Sequence, residues 1–440
     1  MTGTRTLVLS LAVGVMASHA LGSPGAGIEP GTIVGPATAD QAKGLLPPEV
    51  LRHYESGDYI NPVIAFPDSR WDWDEEFKAG TRWNAEHVTL DEHKSPIDQT
   101  TGKRPPYLIG LPFPHIAADD PDAGVKVVWN LVYAYYNGGN SHNWIELDWV
   151  SRRDLEHSAI QDVYFLYYEG QPRQYSPARN SDGLLFQFIA ISTNPADLQG
   201  TAALSWRFKD PMRRDLSWAY VPALRRVRAV SPSNRSDGFL GSDTSQDDGF
   251  FFDGKPEDFT WKVVDHKEQL RLVDADSVAD KVVQRPLAGG GWRTTSINRD
   301  RSVGYMAKDW RGVAWAPVGA ALAKRRFWVV EGVPKDRYYL YGRLELWIDD
   351  VTWQGAWSRK FSWQGELLNV YEVMGFAAAR YNDRECWWGS TMNLQISENL
   401  KADQATVTGL DAPGKDPPND RRIPLEPSFF DFQTLNRFGK

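Results

Sequence analysis

The sequence LIGLPFPHIAADDPDAGVKVVWNLVYAYY, residues 108–136, decides how the chain is organised. Its first half is rich in Pro and Asp (Pro112, Pro114, Asp119, Asp120, Pro121, Asp122) and reads as a fixed turn. Its second half alternates. Val125, Val127, Trp129, Leu131, Tyr133 and Tyr135 fall on one face, and Lys126, Val128, Asn130, Val132, Ala134 and Tyr136 on the other. That is the arrangement of a half-buried β-strand. A strand over 125–136 would run roughly 40 Å at about 3.3 Å per residue, a length suited to a large curved sheet.

Downstream the chain keeps this aromatic, alternating character. Strands are predicted near 143–150, 160–169, 183–193, 201–208, 215–230, 259–272, 326–330, 338–349, 353–363, 366–374, 387–397 and 404–410. Asp349-Asp350 and Gly365 separate neighbouring strands as hairpin turns, and no βαβ rhythm occurs. The expected fold is mainly β with minor α: a large curved antiparallel sheet or incomplete β-barrel, with N-terminal helices packed on it. Upstream, Thr38 and Gln41 form a Thr-x-x-Gln capping pattern for a short helix. A second helix is expected from Pro47-Pro48 to Gly57, with Val50, Leu51 and Tyr54 on one apolar face. Residues 68–93, with Trp71, Trp73, Phe77 and Trp83 among many charges, read as one or two helices docked on the sheet.

The first residues have the character of an export signal. Arg5 precedes an apolar run over 7–17, small residues follow around 20–23, and cleavage is expected near Ala20 or Gly22. The run is too short to span a bilayer, and no Cys near the cleavage region marks a lipidated precursor. The expected organisation is a signal peptide (1–22), a linker and helical region (23–100), a sheet domain (101–410) and an extended Pro-rich tail (411–440). The mature protein is expected in a bacterial periplasm, peripheral to the membrane rather than integral.

Aromatic content is high, with 19 Trp, 17 Tyr and 19 Phe in 440 residues, which favours strands. The net charge of −8 argues against nucleic acid, whose phosphates require a basic surface. The single cysteine, Cys386, precludes an intrachain disulfide and Cys-cluster metal sites, and reads as a small buried apolar residue.

Catalytic templates are absent from the sequence: no Gly-x-Ser-x-Gly, no His-Glu-x-x-His, no P-loop. The glycines 289–291 before Trp292 read as a turn. Asp243, Ser245 and Asp247 carry the first spacings of a calcium loop, but Asp248 stands at the sixth position and Gly254 at the twelfth. The acidic stretch 236–261 therefore reads as a solvated loop whose carboxylates face nearby arginines. His142, His157 and His266 lie far apart without a visible metal partner, and the pairs Asp119-Asp120 and Asp349-Asp350 fit turns. These features call for neither enzyme nor cofactor.

Gly110-Leu-Pro-Phe-Pro followed by Asp120-Pro, Ala123-Gly124, Lys126 and Trp129-Asn130 resembles a bacterial family, domain-of-unknown-function family 1329, similar to outer-membrane lipoprotein-sorting proteins. Supporting segments lie at 31–34, 44–50, Tyr220-Val-Pro with Arg225, Arg226 and Arg228, Ser236-Asp-Gly, Asp253-Gly, 259–262, 347–349, Trp353 and Gly365. The resemblance spans about 31–374. It implies a periplasmic protein whose sheet closes over an apolar cavity, with traffic of hydrophobic cargo near exporters of the resistance–nodulation–division type; it implies no catalytic residues.

Consecutive apolar residues, such as 164–168 and 184–186, need cover on both sheet faces. Helices or a ligand would each supply it. The first expectation is a non-catalytic carrier of a lipid, acyl chain or lipoprotein. Alternation selects Trp129, Leu131, Tyr133, Phe186, Phe188, Leu204, Trp206, Leu344 and Leu346 as the cavity lining, with Arg225, Arg226 and Arg228 as a headgroup contact or a charged strand end. The alternatives are an accessory partner of an envelope exporter presenting aromatic edges, or a sugar-binding module built on Trp357, Trp363, Trp387 and Trp388. An outer-membrane barrel fits poorly with the charged strands and helical region.

Overall fold

Alternating strands build one sheet of 18 strands among the described residues, and the connectivity of its thirteen principal, antiparallel strands follows the chain closely. The computed structural model describes residues 28–66, 72–117, 119–274, 284–294, 303–375, 380–382, 385–386, 394–409 and 418–438. Residues 1–22, expected as a signal peptide, and residues 411–417 lie outside these. So do Trp71, residues 387–393 with Trp387 and Trp388, and the side chain of Cys386.

The principal strands are β1 (Ser141–Ser151), β2 (Leu155–Tyr167), β3 (Leu184–Asn194), β4 (Ala202–Phe208), β5 (Leu216–Val221), β6 (Arg226–Val230), β7 (Phe259–Asp274), β8 (Ala320–Pro334), β9 (Arg343–Asp349), β10 (Gly355–Phe361), β11 (Leu367–Val373), β12 (Leu394–Asn399) and β13 (Gln404–Gly409). Each pairs antiparallel with its sequence neighbour from β1 to β6 and from β7 to β13, and β13 pairs with β1. The spatial order is therefore β6-β5-β4-β3-β2-β1-β13-β12-β11-β10-β9-β8-β7. A short strand, Asn61–Ile64, adds to β8 in parallel and makes the sheet mixed. The stretch 215–230, expected as one strand, is two, broken by a turn at Pro222–Leu224 with Arg225 left-handed at φ 47°.

Laid flat, thirteen strands at about 4.8 Å would separate the outer two by roughly 58 Å. Yet Asp336, just after β8, accepts hydrogen bonds from Arg214, just before β5, and from Ser233, just after β6, both at 2.8 Å. The sheet curls until its outer edges nearly meet, and it does not close into a barrel.

Residues 125–136 correct the sequence expectation. They form a helix, α3 (Ala123–Tyr136), whose every residue except Lys126 is buried. The supposed polar face carries Val128, Val132, Ala134 and Tyr136, so the segment is apolar all round, the mark of a fully buried helix. α3 lies inside the curl. Asn130 holds it by accepting from the Phe113 N–H (2.9 Å) and donating to the Phe113 carbonyl (2.7 Å), and Trp129 donates to the Lys94 carbonyl. A Cβ on Gly124 would stand 2.7 Å from the Lys262 nitrogen, so the helix start rides on the backbone of β7.

A second element shares this face. The connection from β6 to β7, residues 231–258, travels across the inside of the curl between the two edges. It bonds β4 through Gln246 to Ser205, β10 through Asp248 to Lys360, and β12 and β13 through Asp243. Phe250, Phe251 and Phe252 join α3 in the inner core, with Phe250 4.5 Å from the Phe165 ring. The acidic stretch is thus a buried crossing segment rather than a solvated loop; its carboxylates do face Arg235 and Lys360.

The outer face is covered separately. Helix α1 (Pro48–Ser56), ended by Gly57 at φ 82°, and residues 303–318 cover the half from β7 to β13. Helix α4 (Phe432–Phe438) covers β3 to β5, so the tail expected to be extended is partly helical. The Thr38 side chain does not cap a helix; it bonds the Gly35 N–H and the Ile33 carbonyl, and Ala39–Ala42 is a 3-10 turn. Helix α2 (Glu75–His87), capped by Asp74, packs Phe77 into the inner core. Among the described residues no helix is long and apolar enough to cross a membrane.

Candidate functional site: the seam of the curled sheet

Where the two outer edges approach, the crossing segment leaves a cleft of about 920 Å³. Its rim carries Arg214, Lys335 and Asp336 with the exposed side chains Met212 and Tyr338, 70% and 88% accessible. Its floor is charged and buried: Asp215, Arg235, Asp247, Lys255 and Glu257.

These charges form a connected set. Arg207 grips Asp215 Oδ2 through Nε (3.0 Å) and Nη2 (2.7 Å), and donates to the Asp253 carbonyl (2.7 Å). Arg235 donates to Asp247 Oδ1 (2.7 Å) and Asp253 Oδ2 (2.8 Å), and Tyr339 caps Asp247 at 2.9 Å. Lys255 gives its ammonium protons to the carbonyls of Asp210, Pro211 and Arg213. Burial alone would raise the Asp215 carboxyl, but Arg207 and Arg235 hold it below its ordinary range. Burial pushes Asp253 up to about 6 despite the same two guanidinium groups, and burial also raises Glu257. Among the described residues, Asp215 Oδ1, Arg235 Nη1 and Glu257 Oε2 are buried without a hydrogen-bond partner.

A second, apolar gap of about 80 Å³ lies beneath the crossing segment, between Phe239 and the inner side chains Ile145, Leu147, Val163, Phe165 and Phe188. Here the segment is clasped by polar bonds. Asp243 accepts from Asn399 (2.8 Å), Gln404 (3.0 Å) and Thr406 (3.4 Å), and its carbonyl accepts from Ser397 (2.6 Å). Leu240, Phe250 and Phe251 take left-handed φ of 52°, 51° and 82°, a conformation that costs bulky residues about 1–2 kcal/mol each.

Seven of the nine predicted lining residues reach the inner face. Trp129, Leu131 and Tyr133 do so from α3 rather than a strand, together with Phe186 of β3 and Leu344 and Leu346 of β9, and Phe188 packs against them. Leu204 and Trp206 lie on the outer face under α4, where the Trp206 Nε1–H donates to the Phe430 carbonyl at 2.8 Å. Arg225, Arg226 and Arg228 are exposed at the β5–β6 turn and do not line the cleft. Trp357 is wholly buried and donates to the Leu270 carbonyl, and Trp363 is half-buried and bonded to the Tyr339 carbonyl.

The three histidines stay apart. His142 stacks on Tyr164, His157 on Trp149 and His266 on Trp328, each a cross-strand pair. Asp243 and Asp247 turn to different partners, and the described residues hold no cluster of three metal-ligating side chains. The cleft floor escaped the sequence reading. Its only signal was charge placed around Phe250-Phe251-Phe252, where a solvated loop has no use for three phenylalanines.

Residues 37–436 match the family described as "Protein of unknown function (DUF1329)". The chain is 24% identical over 285 residues to the uncharacterized protein PA3922 of Pseudomonas aeruginosa; the match covers 62% of this chain and 55% of that protein, so it spans about half the length of that relative. Among solved structures it is similar to a putative outer membrane lipoprotein-sorting protein domain from Vibrio parahaemolyticus (16% identity, 72% of this chain, 100% of that one, TM-score 0.45). It is similar also to a DUF1329 family protein from Desulfovibrio piger (15%, 72% and 99%, TM-score 0.46) and to LolA superfamily protein NE2245 from Nitrosomonas europaea (14%, 69% and 96%, TM-score 0.39). With the family match running over nearly all of the sheet and both its covering layers, the chain belongs to the DUF1329 family.

Proposed function

We propose that the chain is a non-catalytic periplasmic binding protein that carries a hydrophobic ligand, an acyl chain, lipid or lipoprotein, on the inner face of its curled sheet. The observation that carries this reading is the crossing segment. It covers an apolar gap yet is fastened by polar bonds and built on three left-handed non-glycine residues. Such a segment can lift from the sheet at modest cost, because its polar groups recover water when they leave their partners. The gap of about 80 Å³ is a foothold; displacement of residues 236–249 enlarges it along the phenylalanines behind. An export signal in the sequence supports the compartment, and two of the similar structures carry lipoprotein-sorting or LolA names.

The test is native mass spectrometry with lipid extraction on protein purified gently from its own periplasm. A defined acyl-bearing molecule at near-unit stoichiometry is expected. A clean ligand-free mass, together with no uptake of a fluorescent fatty acid, overturns the reading. A second reading, an accessory partner of an envelope exporter, is favoured by the exposed Met212 and Tyr338 at the seam. It requires that a pull-down from envelope extract recover an exporter subunit, and that recovery fail when both side chains are replaced by serine.

A further inference from the structure

The seam cleft is separate from the apolar gap, and its charges do not balance. Six carboxylates line it (Asp215, Asp237, Asp247, Glu257, Asp258, Asp336) against four permanent cations on the lining (Arg214, Arg235, Lys255, Lys335) and Arg207, which is bound to Asp215, with His93 besides. The cations are already committed. Lys255 is spent on three carbonyls, Lys335 donates to the Glu257 carbonyl at 2.6 Å, Arg214 to Asp336, and Arg235 to Asp247 and Asp253. Two buried acceptors are left over. Glu257 takes the Ser95 hydroxyl at 2.5 Å on one oxygen and nothing on Oε2, and Asp215 Oδ1 is likewise without a donor among the described residues. Both residues are 5% exposed. A buried carboxylate oxygen without a donor is costly, and a cationic N–H removes that cost. Among the described residues that line the cleft, the donor left over is Arg235 Nη1, which already stands 3.7 Å from Asp215 Oδ2, so the surplus on the lining is of acceptors.

We propose that the seam cleft is a binding site for a primary ammonium group carried on an apolar body, with Glu257 and Asp215 as its acceptors. The cleft is far larger than a lone ion requires, and Pro211, Met212, Phe259 and Tyr338 supply an apolar wall. The exposed Tyr338 ring also suits a cation. A divalent metal is disfavoured, since among the described residues no three ligating side chains converge there. The exposed apolar rim points to an amphipathic lipid amine, such as an ethanolamine headgroup, over a polypeptide amine.

Calorimetry on the full chain with octylamine, octanol and octanoate tests the chemistry, and short-chain phosphoethanolamine against phosphocholine lipid tests the source. Octylamine is expected to bind while octanol and octanoate do not, and the ethanolamine lipid is expected to bind at least tenfold tighter than the choline lipid. Glu257→Gln keeps the acceptor for Ser95 and is expected to weaken octylamine at least tenfold with the fold intact by circular dichroism. Asp215→Asn is the second variant, with the same expected direction. Equal binding of octanol, or octylamine binding unchanged in both variants, overturns the site; binding of a lysine peptide but of neither lipid overturns the lipid source. A protein that carries lipid in native mass spectrometry but ignores every amine loses this site and keeps the carrier reading.

Discussion

Glu372→Gln should remove most of a pH dependence built into the outer layer. Glu372 on β11 and Glu398 on β12 are diagonal neighbours under α1. The Tyr59 hydroxyl donates to Glu372 Oε1 at 3.0 Å, His53 Nε2 pairs with Glu398 Oε2 at 2.9 Å, and His53 stacks on Tyr59 at 4.6 Å. Glu372 is 1% exposed, and its second oxygen has no partner among the described residues. Burial pushes its carboxyl up to about 8, with the nearby Glu398 adding to the rise. Burial pulls His53 down, but the hydrogen bond and charge of Glu398 more than offset it and leave His53 raised. Near neutral pH the set holds a neutral Glu372 beside the hydrogen-bonded pair of His53 and Glu398.

The sign follows from linkage. In the unfolded chain Glu372 ionises near 4.5, while in the folded chain it keeps its proton to about 8. Between those values the folded state binds more protons, so stability is greatest below about 4.5 and falls as pH rises through 8. At about 1.4 kcal/mol per pH unit the full loss is on the order of 5 kcal/mol. Glutamine keeps the acceptor for Tyr59 and cannot ionise. Urea unfolding of both proteins at unit steps from pH 5 to 9 isolates Glu372 and the groups coupled to it, because titrating groups that do not interact with Glu372 cancel in the difference. The variant should gain on the wild type steadily up to pH 8 and then level off. A difference that stays flat across pH 5–9 refutes a neutral buried Glu372.

Asp243→Ala removes the acceptor of three side-chain hydrogen bonds, a loss of about 2–3 kcal/mol at roughly 1 kcal/mol each. Amide exchange should accelerate in residues 238–249, and unchanged protection there counts against the clasp. Lys360→Met leaves Asp248 buried beside a lost counter-charge at 2.5 Å and should cost about 3–5 kcal/mol, most of it recovered when Asp248→Asn is added; an additive pair of losses in chemical denaturation contradicts the coupling. Gly124→Ala ordinarily stabilises a helix by about 1 kcal/mol, but here the new methyl meets the Lys262 backbone at 2.7 Å. The melting temperature should fall, and a rise would mean α3 does not sit on β7.

The hairpins were legible because period-two alternation and turn residues agree over each of them, as at β9 to β11. The organising stretch was misread because a helix apolar all round offers no 3.6-residue stripe, and its Val-rich run alternates by accident. Length could not arbitrate, since β2, β7 and β8 run to 13, 16 and 15 residues in the same sheet. Leu204 and Trp206 were misplaced for a different reason. Phe188 lies opposite Ser205 and Phe186 opposite Arg207, so β4 turns its polar side inward, toward Gln246 and Asp253 of the crossing segment. Alternation finds two faces and assigns the apolar one to the interior. It cannot foresee an interior lined with charge whose partners lie 46 residues away, as Arg207 and Asp253 do.

That polar inner side explains why two fillers of opposite character share one cavity. α3 brings almost unbroken apolar surface, and each buried side chain adds about 1.5–3 kcal/mol that is lost if it leaves. It is the permanent filling, pinned by Asn130 and Gly124. The crossing segment instead brings Asp243, Asp247, Asp248 and Asp253, each bonded to the sheet or to Arg235. A buried ion pair contributes little net stability against its separated, hydrated ions, so residues 236–249, ahead of the buried Phe250, Phe251 and Phe252, are held in one register without being held tightly. On the carrier reading that difference selects the moving part: residues 236–249 should open locally, at lower free energy than global unfolding, while α3 exchanges only with the whole sheet. If amide exchange finds both opening together, the inner face has no separable cover, and a ligand would have to enter by the seam.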